Sequence, residues 1–133
     1  MIVIFDASSI VGAALKADTT PMRALLAARA RDTLALSGAV YEEIREVLGR
    51  TKFADALPPE RQQDILQLLS AAAIWAEPDI VVIDCPDPDD NKYLELAVSV
   101  GASVIVSSDR HLLDLNPWRG VMIIRPAEYL SLS

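Results

Sequence analysis

Short apolar runs alternate along this chain with stretches of helical periodicity. Ile2 to Phe5 is a continuous, β-branched run closed by Asp6, the pattern of a strand buried on both faces, as in a parallel sheet. Ala7-Ser8-Ser9 leads into a short helical stretch over Ile10 to Lys16. Pro21 falls in the first turn of a helix running to about Ala30, with Leu25 and Leu26 inward. Thr33 to Leu36 reads as a second strand. Ser37 then caps a helix from about Ala39 to Leu48, on which Val40, Ile44, Val47 and Leu48 share one face. Pro58-Pro59-Glu60 opens the longest helical pattern, to about Trp75, with Ile65, Leu68, Leu69 and Ala72 in one stripe. Ile80 to Ile83 is expected to be the third strand. A helix carrying Tyr93, Leu94, Leu96, Ala97 and Val100 follows and stops at Gly101. Ser103 to Val106 reads as the fourth strand and Val121 to Ile124 as the last, with a helical turn at Leu112 and Leu113 between them. Pro126 starts a final short helix.

Strands alternating with helices predict an α/β fold: a three-layer α/β/α sandwich around a mainly parallel sheet with right-handed crossovers. No repeat, low-complexity tract or linker interrupts the 133 residues, which are expected to form a single domain. The 52% hydrophobic content, mostly Ala, Leu, Val and Ile, supplies a core for such a fold. A single cysteine suits a reducing compartment, and neither a leader nor a bilayer-length apolar run is visible. The expected location is cytoplasmic, with no membrane partner. A net charge of −7 opposes broad attraction to nucleic acid, although bound cations reverse the sign locally.

In open α/β sheets ligands bind beyond the carboxyl ends of the strands, and the acidic residues of this chain gather there. Asp6 ends the first strand, Asp87, Asp89 and Asp90 follow the expected third, and Asp109 follows the fourth. Glu43 lies on the helix leaving the second. Carboxylates gathered without basic partners repel one another, and a hard cation with oxygen ligands, Mg²⁺ or Mn²⁺, resolves the conflict. With one histidine, His111, and one thiol, Cys85, a zinc centre is not expected. A carboxylate pocket of this kind most often serves phosphate chemistry. A receiver domain would pair its first acidic residue, and a haloacid-dehalogenase-type phosphatase needs Asp where Ser8 stands. A Walker loop is absent. A phosphodiesterase-like pocket remains, with a phosphatase acting on small monoesters as a lesser alternative.

Four runs in order, Ile2 to Asp6, Val40 to Leu48, Asp87 to Leu94 and Val104 to Leu113, resemble the PIN-domain family, in its branch of toxin components of toxin–antitoxin pairs. The resemblance covers nearly the whole chain and implies a Mg²⁺- or Mn²⁺-dependent ribonuclease acting on RNA, often a homodimer, held inactive by a cognate antitoxin. It makes Asp6, Asp90 and Asp109 metal ligands and adds Glu43 to the catalytic set, with Asp89 the alternative to Asp90. Ser8, Asn91, Lys92, Ser107 and Arg110 become supporting or substrate-contacting residues. Two departures stand out: Ala7-Ser8 replaces the family's usual Thr-Asn, and Ser107-Ser108 replaces a Thr or Ser followed by Gly or Arg. Asp87 and Asp89 are expected to be capping and loop residues, Trp75 and Trp118 packing residues, and His111 to have no catalytic role. The alternative function is a catalytically inactive PIN scaffold that works by binding protein.

Overall fold

The computed structural model describes residues 1–132. Its centre is β1 (Ile2–Phe5), in which Val3, Ile4 and Phe5 are all buried. Phe5 is followed by α1 (Ala7–Leu15), α2 (Thr20–Arg31), β2 (Thr33–Leu36) and α3 (Gly38–Leu48). The short 3₁₀ turn Thr51–Phe53 then leads to α4 (Pro59–Ala72) and β3 (Ile74–Trp75). The remainder comprises a second 3₁₀ turn, Pro88–Asp90, then α5 (Asn91–Val100), β4 (Val104–Val106), α6 (Arg110–Leu113), β5 (Met122–Ile124) and α7 (Pro126–Ser131).

The five strands pair in the order β3-β2-β1-β4-β5, and every pair is parallel. A parallel sheet must be covered on both faces, which is why its strands are written as unbroken apolar runs. The chain steps outward from β1 to β2 to β3, then returns past β1 to lay down β4 and β5. Right-handed crossovers therefore assign the helices before β3 to one face and α5 to the other. The α/β fold with helices flanking a parallel sheet is as expected from the hydrophobic pattern.

Local chemistry sets the helix ends. Asp6 accepts a hydrogen bond from the Ser9 N–H, so α1 begins at Ala7 and not near Ile10. Ser37 caps α3 through the Val40 N–H, and Thr19 caps α2 through that of Met22. On α4 the buried positions are Ile65, Leu66 and Leu69, while Ala72 lies outside the core.

The third strand is not where the pattern puts it. Ile80–Ile83 lies outside the sheet, with Val82 buried but Val81 and Ile83 85% and 83% exposed. The edge strand is Ile74–Trp75, which pairs with Ala35 and Leu36, and α4 ends before it. Ala76 N–H still donates to Leu36, but Pro78 has no N–H to give and the chain departs there. Val82 N–H donates to the Glu95 carboxylate on α5 in place of a strand carbonyl. The edge therefore ends after Ala76, and Ile80–Ile83 lies beyond it.

Gly101 ends α5 at φ 65°, ψ 43°, the left-handed region. A Cβ built there meets nothing within 4 Å, so the cost of a side chain is conformational alone. Gly101→Ala should lower stability by about 1–2 kcal/mol, read from the urea midpoint at unchanged slope. An unaltered midpoint contradicts this origin of the helix stop.

Candidate metal centre

The reversal of strand order falls between β1 and β4, and the crevice at their carboxyl ends is where such sheets bind ligands. Register brings the site's first two residues together there. Phe5 pairs with Val106, so Asp6 and Ser107 leave the sheet side by side. Ser107 Oγ donates to Asp6 Oδ2 at 2.6 Å, and Ser8 Oγ reaches both carboxylate oxygens at 2.8 and 2.9 Å. Behind them the Asp109 N–H donates to Ser107 Oγ, and the Ser108 N–H to Ser8 Oγ. Two hydroxyl relays thus carry the polarity of the β4–α6 turn onto one carboxylate. Burial pushes the Asp6 carboxyl above its ordinary range, and the bonds from Ser107, Ser9 and Ser8 pull it back in part.

The loop before α5 supplies the opposite wall. Asn91 is buried and its Oδ1 accepts from the Cys85 N–H at 2.9 Å, folding the loop over the helix start. Asp87 caps the 3₁₀ turn through the Asp89 N–H, and Cys85 Sγ faces the His111 carbonyl at 3.8 Å. Asp84 takes the indole N–H of Trp118 at 2.8 Å, with the Arg119 guanidinium 3.5 Å away. Asp84 and Cys85 therefore tie the start of the loop to the β4–β5 side of the sheet. Asp90 is only 6% exposed, and its Oδ2 has no hydrogen-bond partner. Burial pushes its carboxyl up to about 8, helped by the neighbouring Asp109, Asp87 and Asp6.

Glu43, on the second turn of α3, meets Lys92 on α5 as an ion pair at 2.6 Å. That contact lacks hydrogen-bond geometry, so buried Glu43 Oε2 also has no hydrogen bond. Tyr93, fully buried on α5, accepts from the Ala7 N–H at 3.0 Å. Burial holds its hydroxyl well above the ordinary range, with the Asp6 and Glu43 charges adding to the effect, so it remains neutral. Asp109 caps α6 through the His111 N–H at 2.8 Å.

One pocket of about 400 Å³ gathers these groups, lined among others by Asp6, Ser8, Glu43, Asp87, Asp89, Asp90 and Asp109. Arg50, Lys52 and Phe53 line it as well. Arg50 is paired with Glu46 at 3.0 Å, while the Lys52 ammonium lies 5.1 Å from the centre of the Phe53 ring. The geometry thus unites Asp6, Glu43, Asp90 and Asp109. Ser107 sits fully buried behind Asp6, Asn91 braces the loop, and Lys92 pairs with Glu43. Arg110 is exposed and outside the pocket lining.

A second set of ligand atoms converges beside these. Asp87, Asp90 and His111 each present an atom within 4.8 Å of the other two. A lone histidine and a capping aspartate carry no spacing signal, so the sequence by itself gives His111 and Asp87 no ligand role. Their approach depends on the loop before α5 folding back onto the start of α6.

The family model described as PIN domain matches residues 2–111. The crystal structure of VapBC2 from Rickettsia felis bound to a DNA fragment from their promoter contains a chain of similar fold, with a TM-score of 0.62 at 13% identity. The match covers 92% of this chain and 97% of that one. No curated protein matches in sequence.

A raised Asp90 has a thermodynamic consequence. Between the unfolded carboxyl value near ~4 and about 8, the native state holds a proton that the unfolded chain has released. The stability that proton confers is complete below the lower value and lost as pH rises through the upper one. Urea titrations in chelator from pH 5 to 9 should show stability falling with pH, and Asp90→Asn should flatten that slope. An equal slope in the variant contradicts the assignment.

Proposed function

Since the chain belongs to the PIN-domain family, we propose that it is an endoribonuclease dependent on Mg²⁺ or Mn²⁺ and the toxin of a toxin–antitoxin pair. The observation that carries this reading is the pocket itself: Asp6, Glu43, Asp90 and Asp109, from four segments, line one space, and the buried Asp90 Oδ2 there has no hydrogen-bond partner. Oxygen ligands and an orphaned carboxylate oxygen fit a hard cation. Asp6, Asp90 and Asp109 would hold it, with Glu43 beside them. Such an ion, when bound, activates water and offsets charge on a leaving phosphate oxygen.

The chain's own residues do the remaining work. The two serine relays hold Asp6 in one orientation, so its carboxylate needs no reorganisation when a phosphate arrives. Lys92 fixes Glu43 across the cleft between α3 and α5. In the pocket lining Lys52 meets a backbone phosphate, and the half-buried Phe53 ring offers a face for an unpaired base. Single-stranded RNA is the substrate this lining suits. Despite a net charge of −7, the strand's phosphates need only these few local cations. We place the activity in one cytoplasmic domain of 133 residues that forms a homodimer and is silenced by an antitoxin protein.

A second reading, an idle scaffold that acts by binding protein, draws on an apolar groove of about 360 Å³ at the C-terminal end of α1. Ala14, Met22, Leu26, Ile65 and Leu68 line it. Cleavage of RNA separates the two readings.

With Mg²⁺ or Mn²⁺ present, Asp6→Asn should lower cleavage of single-stranded RNA on the order of a hundredfold or more while the fold persists. Full activity in that variant removes the assignment. In the Asp6→Asn background, Lys52→Gln should weaken RNA binding and reduce the slope of log affinity against log salt by about 1. An unchanged slope means Lys52 does not touch the strand.

A further inference from the structure

We propose that Asp87, Asp90 and His111 form a second cation site with mixed oxygen and nitrogen ligands, selective for a first-row transition-metal dication over Mg²⁺. Their ligand atoms lie within 4.8 Å of one another. Two ligands on opposite sides of an ion bound at ~2.1 Å are separated by about 4.2 Å, so modest side-chain rotation closes the set. An independent observation points the same way: Asp90 is 6% exposed, yet its buried Oδ2 has no partner. A buried carboxylate oxygen left without a donor costs free energy that a cation would recover.

The backbone is built to keep the three groups together. The Cys85 N–H bond to Asn91 shapes the loop that carries Asp87 and Asp90. Cys85 Sγ facing the His111 carbonyl ties that loop to α6. Asp109 accepts the His111 N–H and fixes where the imidazole side chain starts. Asp87 uses Oδ1 to accept the Asp89 N–H, which leaves its other oxygen free for an ion.

Ligand chemistry sets the selectivity. Mg²⁺ takes oxygen ligands and gives up water reluctantly, whereas imidazole suits transition metals. Asp87 and Asp90 also line the proposed catalytic pocket and His111 does not, so an ion here would lie at that pocket's edge. The site stands on its own geometry and does not require that the protein cut RNA.

The chain contains one histidine, so any imidazole nitrogen bound to metal belongs to His111. Pulsed electron paramagnetic resonance of bound Mn²⁺ should show coupling to one imidazole ¹⁴N, absent in His111→Gln. Calorimetric titration should show Mn²⁺ affinity at that site falling about tenfold in His111→Gln and in Asp87→Asn, with Mg²⁺ binding little changed. Mn²⁺ bound with no nitrogen coupling overturns the proposal. Coupling that survives in His111→Gln overturns it as well. A protein that shows the coupling but does not cleave RNA keeps this site and loses the nuclease reading.

Discussion

The structure turns on a carboxylate, that of Asp6, held inside the fold at the end of its central strand. Burying such a group is costly unless hydrogen bonds or a counter-ion offset it. Here the offset comes from Ser107, Ser8 and the first turn of α1, all positioned by the pairing of β1 with β4. The same pairing creates the crevice at the strand reversal. Fold and site therefore share one cause: the parallel register that brings Phe5 beside Val106 also seats Asp6 under Ser107.

Around that anchor the acidic groups are compensated unequally. Glu43 has an ammonium from Lys92, Asp109 has a helix start to cap, and Asp6 has its serines. Asp90 has none of these for Oδ2 and stays the least satisfied group of the pocket. An uncompensated buried carboxylate stores free energy that binding a cation would release, at some loss of stability without one. Neither the chain's overall charge nor its composition shows this, because the imbalance is local.

Much of the fold was readable from hydrophobic periodicity, since parallel strands buried on both faces leave continuous apolar runs such as Ile2–Phe5 and Val104–Val106. The edge strand was not. Ile80–Ile83 is the longer β-branched run, yet the pairing with β2 and the ladder bond from Ala76 belong to Ile74–Trp75. The acidic residues at strand ends were legible because Asp6 follows β1 directly and only Ser107 and Ser108 separate β4 from Asp109. Asp87 with His111, and Lys52 with Phe53, became neighbours of the pocket only through folding of the loop before α5 and the turn after α3. Contacts of that kind leave no periodic trace.

The bond from Ser107 to Asp6 joins residues 101 positions apart. A chain growing from its N-terminus during synthesis folds as domains emerge, and long-range pairing forms only after both partners exist. Until β4 and the turn carrying Asp109 have been made, Asp6 has the local donors of Ser8 and Ser9 but neither the hydroxyl of Ser107 nor Asp109 beside it. The pocket is consequently among the last features of the molecule to come into being, and an incomplete chain carries no working version of it.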